Sequence, residues 1–276
     1  MRVVAVGECT QDRYVKLGVA HAGGISLNFA INARRAGAES VALVSCVGTD
    51  LAAEAVRRRL SREGIDASQV HVRPGATTSQ LITLAAGGER VFPPGGYDPG
   101  GLADFRLGAD DLALIARADV AALPCFWQIA SLVEPILRPA PLGPVRVVDL
   151  LDGEDLGPGL AGLEPLLDVV DVAFVSGDDA TVEQLLPLSS RSRTLLVVTR
   201  GAQGSSALLR GQRHDAPAEP VPVAERVDTT GCGDAFQAAF TVSWMRDRDL
   251  AAALHAGARR ASKVIRHLGA TVDEAP

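Results

Sequence analysis

The stretch Asp228-Thr229-Thr230-Gly231-Cys232-Gly233-Asp234-Ala235-Phe236 constrains this chain more than any other. Gly231 and Gly233 flank Cys232 and lead into a carboxylate, Asp234. An apolar helical run begins at once with Ala235, Phe236, Ala238, Ala239, Phe240 and Val242. A glycine-rich turn that opens a helix leaves backbone N–H groups unpaired at the positive end of the helix dipole. Such a turn is an anion site, and phosphate is its usual ligand. A carboxylate inside a phosphate cradle repels its own ligand unless it has a proton to remove. Asp234 therefore reads as a general base beside a phosphoryl group in transfer. The plain alternative is a helix N-terminal Asp serving the dipole, with glycines for the turn.

The remainder of the chain reads as a framework for that turn. Arg2–Val6 is a short apolar run ending at Gly7, as a buried parallel strand would. Asp12–Leu17 reads as a small-sheet strand outside the main core. Gly23-Gly24 precedes Ser26, an expected N-cap, and an apolar helix closed by Gly37. Val41–Val47 predicts the next strand, followed by a helix over 51–62 with Gly64 as its stop. Ser79–Ala86 and Glu89–Phe92 flank Gly87-Gly88, a hairpin signal, and Pro93-Pro94-Gly95-Gly96 forbids a helix after it.

Alternation resumes with a helix over 109–118, strand Val120–Leu123, a helix after Pro124 and strand Val145–Leu150. A Gly/Pro-rich loop at Gly153–Gly159, strands Val172–Val175 and Leu195–Thr199, and a second hairpin near Ser206–Arg213 follow. Helices over about 233–246 and 250–267 close the chain. Repeated strand–helix units predict an α/β fold: a three-layer, doubly wound, mostly parallel sheet flanked by helices. We read residues 1–276 as a single domain carrying a small β lid, with lid segments at about 10–18 and 77–97.

Composition narrows the function classes. A net charge of −6 argues against a general nucleic-acid binder, and Arg57-Arg58-Arg59 reads as a solvated helix face. The four cysteines lie far apart with no Cys-x-x-Cys pair, which argues against a zinc site or a disulfide framework. No leader opens the chain and no apolar run approaches membrane-spanning length, so the expectation is a cytoplasmic protein with no membrane partner. Gly7-Glu8-Cys9-Thr10 replaces the first-turn glycines of a dinucleotide site, which excludes a nicotinamide oxidoreductase.

The nine residues from Asp228 to Phe236 resemble the signature of the ribokinase-like, PfkB-type carbohydrate kinases, usually Asp-Thr-x-Gly-Ala-Gly-Asp-x-Phe. Cys232 stands where Ala is common. The resemblance extends over nearly the whole chain and implies an ATP-dependent phosphotransferase for a primary hydroxyl of a sugar or sugar adduct. In that reading Asp234 is the base, and the N–H groups of Gly231, Cys232 and Gly233 hold charge on the transferring group. Gly23, Gly24 and Asn28 match the first sugar-contacting motif, and Asp12 the lid carboxylate; Arg90 is a further candidate for substrate or product phosphate. Ser176, Thr199, Gly201 and Gly204 match the nucleotide-binding segments.

The same resemblance places Asp149 and Asp179 near the water shell of Mg²⁺. Ser176 and Asp179 depart from the usual Asn and Glu there. Asp228, the carbonyl of Thr230 and the backbone near Gly269 match positions that bind a monovalent cation, K⁺, in some relatives. Ile25 occupies the place of a Lys found in phosphofructokinases, which disfavours a phosphorylated sugar. Arg90-Val91-Phe92, Ala103-Asp104-Phe105 and Ala173-Phe174-Val175-Ser176 are similar to the fructoselysine 6-kinase branch. Analogy implies a homodimer through the lid. The alternatives are a nucleoside or other small-alcohol kinase of the same family, or a non-catalytic ligand-binding or regulatory protein on the kinase fold. Cys232 reads as a tolerated small residue, against a nucleophile with a lowered pKa at a helix start.

Overall fold

A computed structural model of the protein describes residues 1–137, 143–152, 162–167 and 169–271. The strands are β1 (Arg2–Val6), β2 (Thr10–Tyr14), β3 (Val19–Gly23), β4 (Ser40–Val47), β5 (Asp66–Val72), β6 (Ser79–Leu84), β7 (Arg90–Val91) and β8 (Tyr97–Asp98). They continue with β9 (Val120–Pro124), β10 (Val145–Asp152), β11 (Val172–Ser176), β12 (Leu195–Thr199), β13 (Ser205–Leu209) and β14 (Gln212–Ala216). The helices are α1 (Ile25–Arg35), α2 (Leu51–Glu63), α3 (Ala109–Ala116), α4 (Ala130–Leu137), α5 (Asp179–Arg191), α6 (Cys232–Asp247) and α7 (Leu250–Val264).

Among the described residues, one large sheet runs in the order β14-β13-β12-β11-β10-β9-β1-β4-β5. It is parallel from β12 to β5, and β13 and β14 join antiparallel at one edge. Strands covered on both faces must be apolar at every position, which is why Val3-Val4-Ala5-Val6 shows no alternation. Val3 and Ala5 face one core with α1, α2, α6 and α7; Val4 and Val6 face a second core with α3, α4 and α5. These are the three layers expected of a doubly wound fold. No helix among the described residues is long and apolar enough to cross a membrane, and the four cysteines are unpaired.

A second, smaller sheet has the order β3-β2-β6-β7, with β8 also paired to β6. Its β2 alternates strictly: Thr10, Asp12 and Tyr14 are buried, whereas Gln11 and Arg13 are not. One face of this sheet therefore turns onto the body of the protein.

Several elements differ from the sequence reading. Helix α1 begins at Ile25 behind Gly24, and Ser26 is no cap: its hydroxyl donates to the Val6 carbonyl at 3.0 Å, tying α1 to β1. Strands β3 and β5 and helix α5 went unread, because their polar residues mask any period. The 153–159 loop lies outside the described residues.

Few aromatic residues are present, so those in the core carry weight. Three of the seven phenylalanines meet where α6 crosses the sheet. Phe240 is fully buried, 5.4 Å from Phe174 edge-on and 6.1 Å from Phe236 in a stacked arrangement. Truncation there leaves a cavity that close-packed neighbours fill only in part. Phe240→Ala is expected to lose about 3–5 kcal/mol of stability, read as a lower urea midpoint at unchanged m.

Candidate active site

In an open α/β sheet the carboxyl ends of parallel strands face a common crevice. Here Gly7 and Glu8 follow β1, Asp149 lies near the end of β10, and Ser176 and Thr199 end β11 and β12. Helix α6 points its N-terminus at the same edge. Gly231 precedes it with φ of +78°, and a Cβ there would lie 2.4 Å from that of Ala270. Only glycine meets both conditions.

That turn sets the backbone donors. The Cys232 N–H donates back to the Thr229 carbonyl at 3.2 Å, and Ala235 N–H closes the first helical turn on Gly231. The amides of Gly231 and Gly233 take no acceptor among the described residues. Of the three amides expected from sequence, Cys232's is thus held inside the turn. Its thiol is equally occupied: burial pushes it up to about 12, and its Sγ lies 3.8 Å from the Ala261 carbonyl. A thiol in that state is a poor nucleophile.

Asp234 sits in the first turn of α6 and is only 8% exposed. Its Oδ2 accepts from Asn28 Nδ2 of α1 at 2.8 Å. Burial pushes its carboxyl up to about 7, helped by the nearby charge of Asp149 and opposed by the Asn28 hydrogen bond and the charge of Arg90. Asp149 is also raised by burial, against a hydrogen bond from Gln237, one turn further along α6.

The small sheet supplies the other wall. Asp12 lies on the inward face of β2, with Thr10 Oγ1 donating to its Oδ1 at 2.5 Å. Burial lifts it to about 7. A side chain at Gly23, on the adjacent β3, would come within 1.9 Å of the Asp12 carboxylate. Arg90 opens β7, its N–H donating to Thr229 Oγ1 at 2.9 Å and its guanidinium lying 4.9 Å from the Phe92 ring centroid. Its positive charge reaches Asp12, Asp149, Cys232 and Asp234.

Four side chains around the candidate site escaped the sequence reading. Glu8, 6% exposed, accepts from Tyr97 O–H at 2.9 Å and from Ile25 N–H at 3.3 Å. Gln237 reaches Asp149, and Tyr14 reaches Asp228 at 2.5 Å. Glu8 carried a signal: a charge directly after a buried strand must find a partner or a function. The tyrosines carried none, since their partners are remote in the chain.

A cleft of about 1180 Å³ opens beside the α6 turn, lined by Arg90, Ser176, Thr199, Gly201, Gly204 and Gly233 among others. Asp179 turns away from this centre. It is two-thirds exposed, and Arg200 Nη1 lies 2.5 Å from its Oδ1, with Arg213 also near. Asp228, Thr230 and Gly269 do come together: the Asp228 carboxylate accepts from Thr230 N–H at 2.8 Å and from Gly269 N–H at 2.9 Å.

Comparison with known proteins identifies the family. The pfkB family carbohydrate kinase profile matches residues 3–119 and 169–276. The chain is 31% identical over 268 residues to fructoselysine 6-kinase of Shigella flexneri, covering 97% of this chain and 98% of that one. It is 28% identical over 277 residues to fructosamine kinase FrlD of Bacillus subtilis, covering 98% and 93%. Among solved structures it is similar in fold to a fructokinase double mutant from Vibrio cholerae O395 bound to fructose, ADP and potassium. That likeness has a TM-score of 0.74 at 18% identity and covers 98% and 93% of the two chains. The chain belongs to the pfkB family of carbohydrate kinases.

Proposed function

We propose that this kinase transfers the γ-phosphoryl group of ATP to a primary hydroxyl of a fructosamine-type sugar adduct. The observation that carries the reading is Asp234, a buried carboxylate held by Asn28 on the same helical turn as two amides without acceptors among the described residues. The names of the two curated relatives support the adduct. So does the lining of the site by acceptors, Glu8, Asp12 and the buried Asn28 Oδ1, which has no donor among the described residues. Acceptors of that kind suit a polyhydroxyl substrate.

The substrate hydroxyl approaches the second oxygen of Asp234, which takes its proton as the hydroxyl oxygen bonds to the γ-phosphorus. The bond from that phosphorus to the β,γ-bridging oxygen breaks, and ADP leaves. The amides of Gly231 and Gly233 hold negative charge on the phosphoryl oxygens, joined by Arg90 from the small sheet, which acts as a lid that excludes water. Val221, Phe236, Ala258 and Ile265 offer the cleft an apolar wall for the adenine. Ser176, Thr199, Gly201 and Gly204 line its other side for ribose and phosphates.

The donor set fits a hard divalent cation held through water. Asp149 is buried and Asp152, beside it, lines the cleft; such a charge, held there, would relieve their mutual repulsion. When bound, Mg²⁺ would neutralise the phosphate oxygens of ATP. Asp179, engaged by Arg200, is not needed for this.

Assays of ATP consumption with fructosamines, free ketoses and nucleosides test the substrate class; the fructosamine is expected to give the highest kcat/KM. Asp234→Asn should lower kcat by at least about 100-fold while ATP still binds, since a positioned base contributes about 10²–10⁴-fold. A variant that turns over at the wild-type rate would remove Asp234 from the mechanism. The base must be ionised, and its pKa is raised to about 7, so it is protonated and idle below that pH. Accordingly, log kcat/KM should rise with pH up to about 7 and flatten above it. Arg90→Ala removes a charge that favours the ionised form, so this limb should move to higher pH.

A further inference from the structure

The segment that feeds the α6 turn is gripped by the lid from two sides. Tyr14, on the inward face of β2, is 1% exposed and donates its O–H to Asp228 Oδ2 at 2.5 Å across 214 residues of chain. From the hairpin, the Gly88 carbonyl accepts Thr229 N–H at 2.9 Å, and Arg90 N–H donates to Thr229 Oγ1 at 2.9 Å. Asp228 itself is fully buried. Its Oδ1 accepts from Thr230 N–H and its Oδ2 from both Tyr14 and Gly269 N–H.

This arrangement does not fit a monovalent cation on the Asp228 carboxylate. Three donor hydrogens take three of the roughly four lone-pair sites on its two oxygens, and a cation at the remaining site on Oδ1 would lie beside them as a like charge. We propose that the Tyr14 hydroxyl takes the place of such an ion, so that the lid strand itself completes the phosphoryl-transfer loop and the enzyme needs no monovalent cation. Tyr14 is then a positioning residue. By fixing Asp228 and, through it, Thr230, it sets the direction of the Gly231 and Gly233 amides. Because Asp12 lies two residues earlier on the same inward face, the strand that meets the sugar also aligns the loop that meets the phosphate. The proposal rests on the phosphoryl-transfer reading of the loop.

The test compares wild type and Tyr14→Phe in potassium chloride and in tetramethylammonium chloride of equal ionic strength. For wild type, kcat/KM and the Tm of the ligand-free protein are expected to be the same in both salts. Stimulation or stabilisation specific to potassium overturns the proposal. With the folded fraction set by circular dichroism, Tyr14→Phe should lose about 10–100-fold in kcat at unchanged KM for ATP, the scale of misplaced catalytic groups. It should also recover part of that loss in potassium, which a merely structural role would not produce. Wild-type kcat in the variant, or a loss that potassium leaves unchanged, overturns it equally. Should Tyr14→Phe fail to fold, the salt comparison on wild type decides the matter. Should wild type phosphorylate no sugar in either salt, the function fails, whereas the Tm comparison still judges Tyr14.

Discussion

Asp234 is buried where burial alone would keep it protonated, and the site depends on how that penalty is offset. Desolvation and the neighbouring Asp149 push its carboxyl up. Asn28 and Arg90 pull it back, and its place in the first turn of α6 adds the positive end of the helix dipole. The balance leaves a carboxyl that exchanges its proton near neutrality, as the proposed general-base role requires. A more exposed carboxyl would be too weak a base, and an unpaired one would stay protonated.

The same tension repeats around the site. Glu8, Asp12, Asp149 and Asp228 are all buried, and each is held by short-range donors. Both tyrosines of the chain serve this end, Tyr97 on Glu8 and Tyr14 on Asp228. Both come from the small sheet, so docking that sheet and satisfying the carboxylates are one event. Buried carboxyl groups held by hydrogen bonds form a rigid polar wall, suited to a ligand that brings hydroxyl groups.

The core strands and the glycine turn before α6 were legible for local reasons. Val3–Val6 and Leu195–Val198 are continuous apolar runs, and Gly231-Cys232-Gly233 followed by an apolar helix leaves few conformations open. Strands β3 and β5 were not legible, because His21 or Gln69 reads as loop until a neighbouring strand is known. Ser26 looked like a cap, yet its hydroxyl serves Val6. Asp179 read as a residue near the metal's water shell, and Arg200 Nη1 lies 2.5 Å from its Oδ1. In both cases the residue type was read correctly and its partner was not, since the partner comes from another element.

Sequence alone determined the family, the α/β class and the glycine turn that leads into Asp234, because each depends on residues adjacent in the chain and on backbone geometry. Tertiary structure decided that Cys232 is shielded and that Tyr97 donates to Glu8. It also decided that Tyr14 closes on Asp228. The contacts at Glu8 and Asp228 rest on hydrogen bonds between groups 89 and 214 residues apart. Such bonds form only once the small sheet lies against the edge of the large one, and no local pattern encodes them.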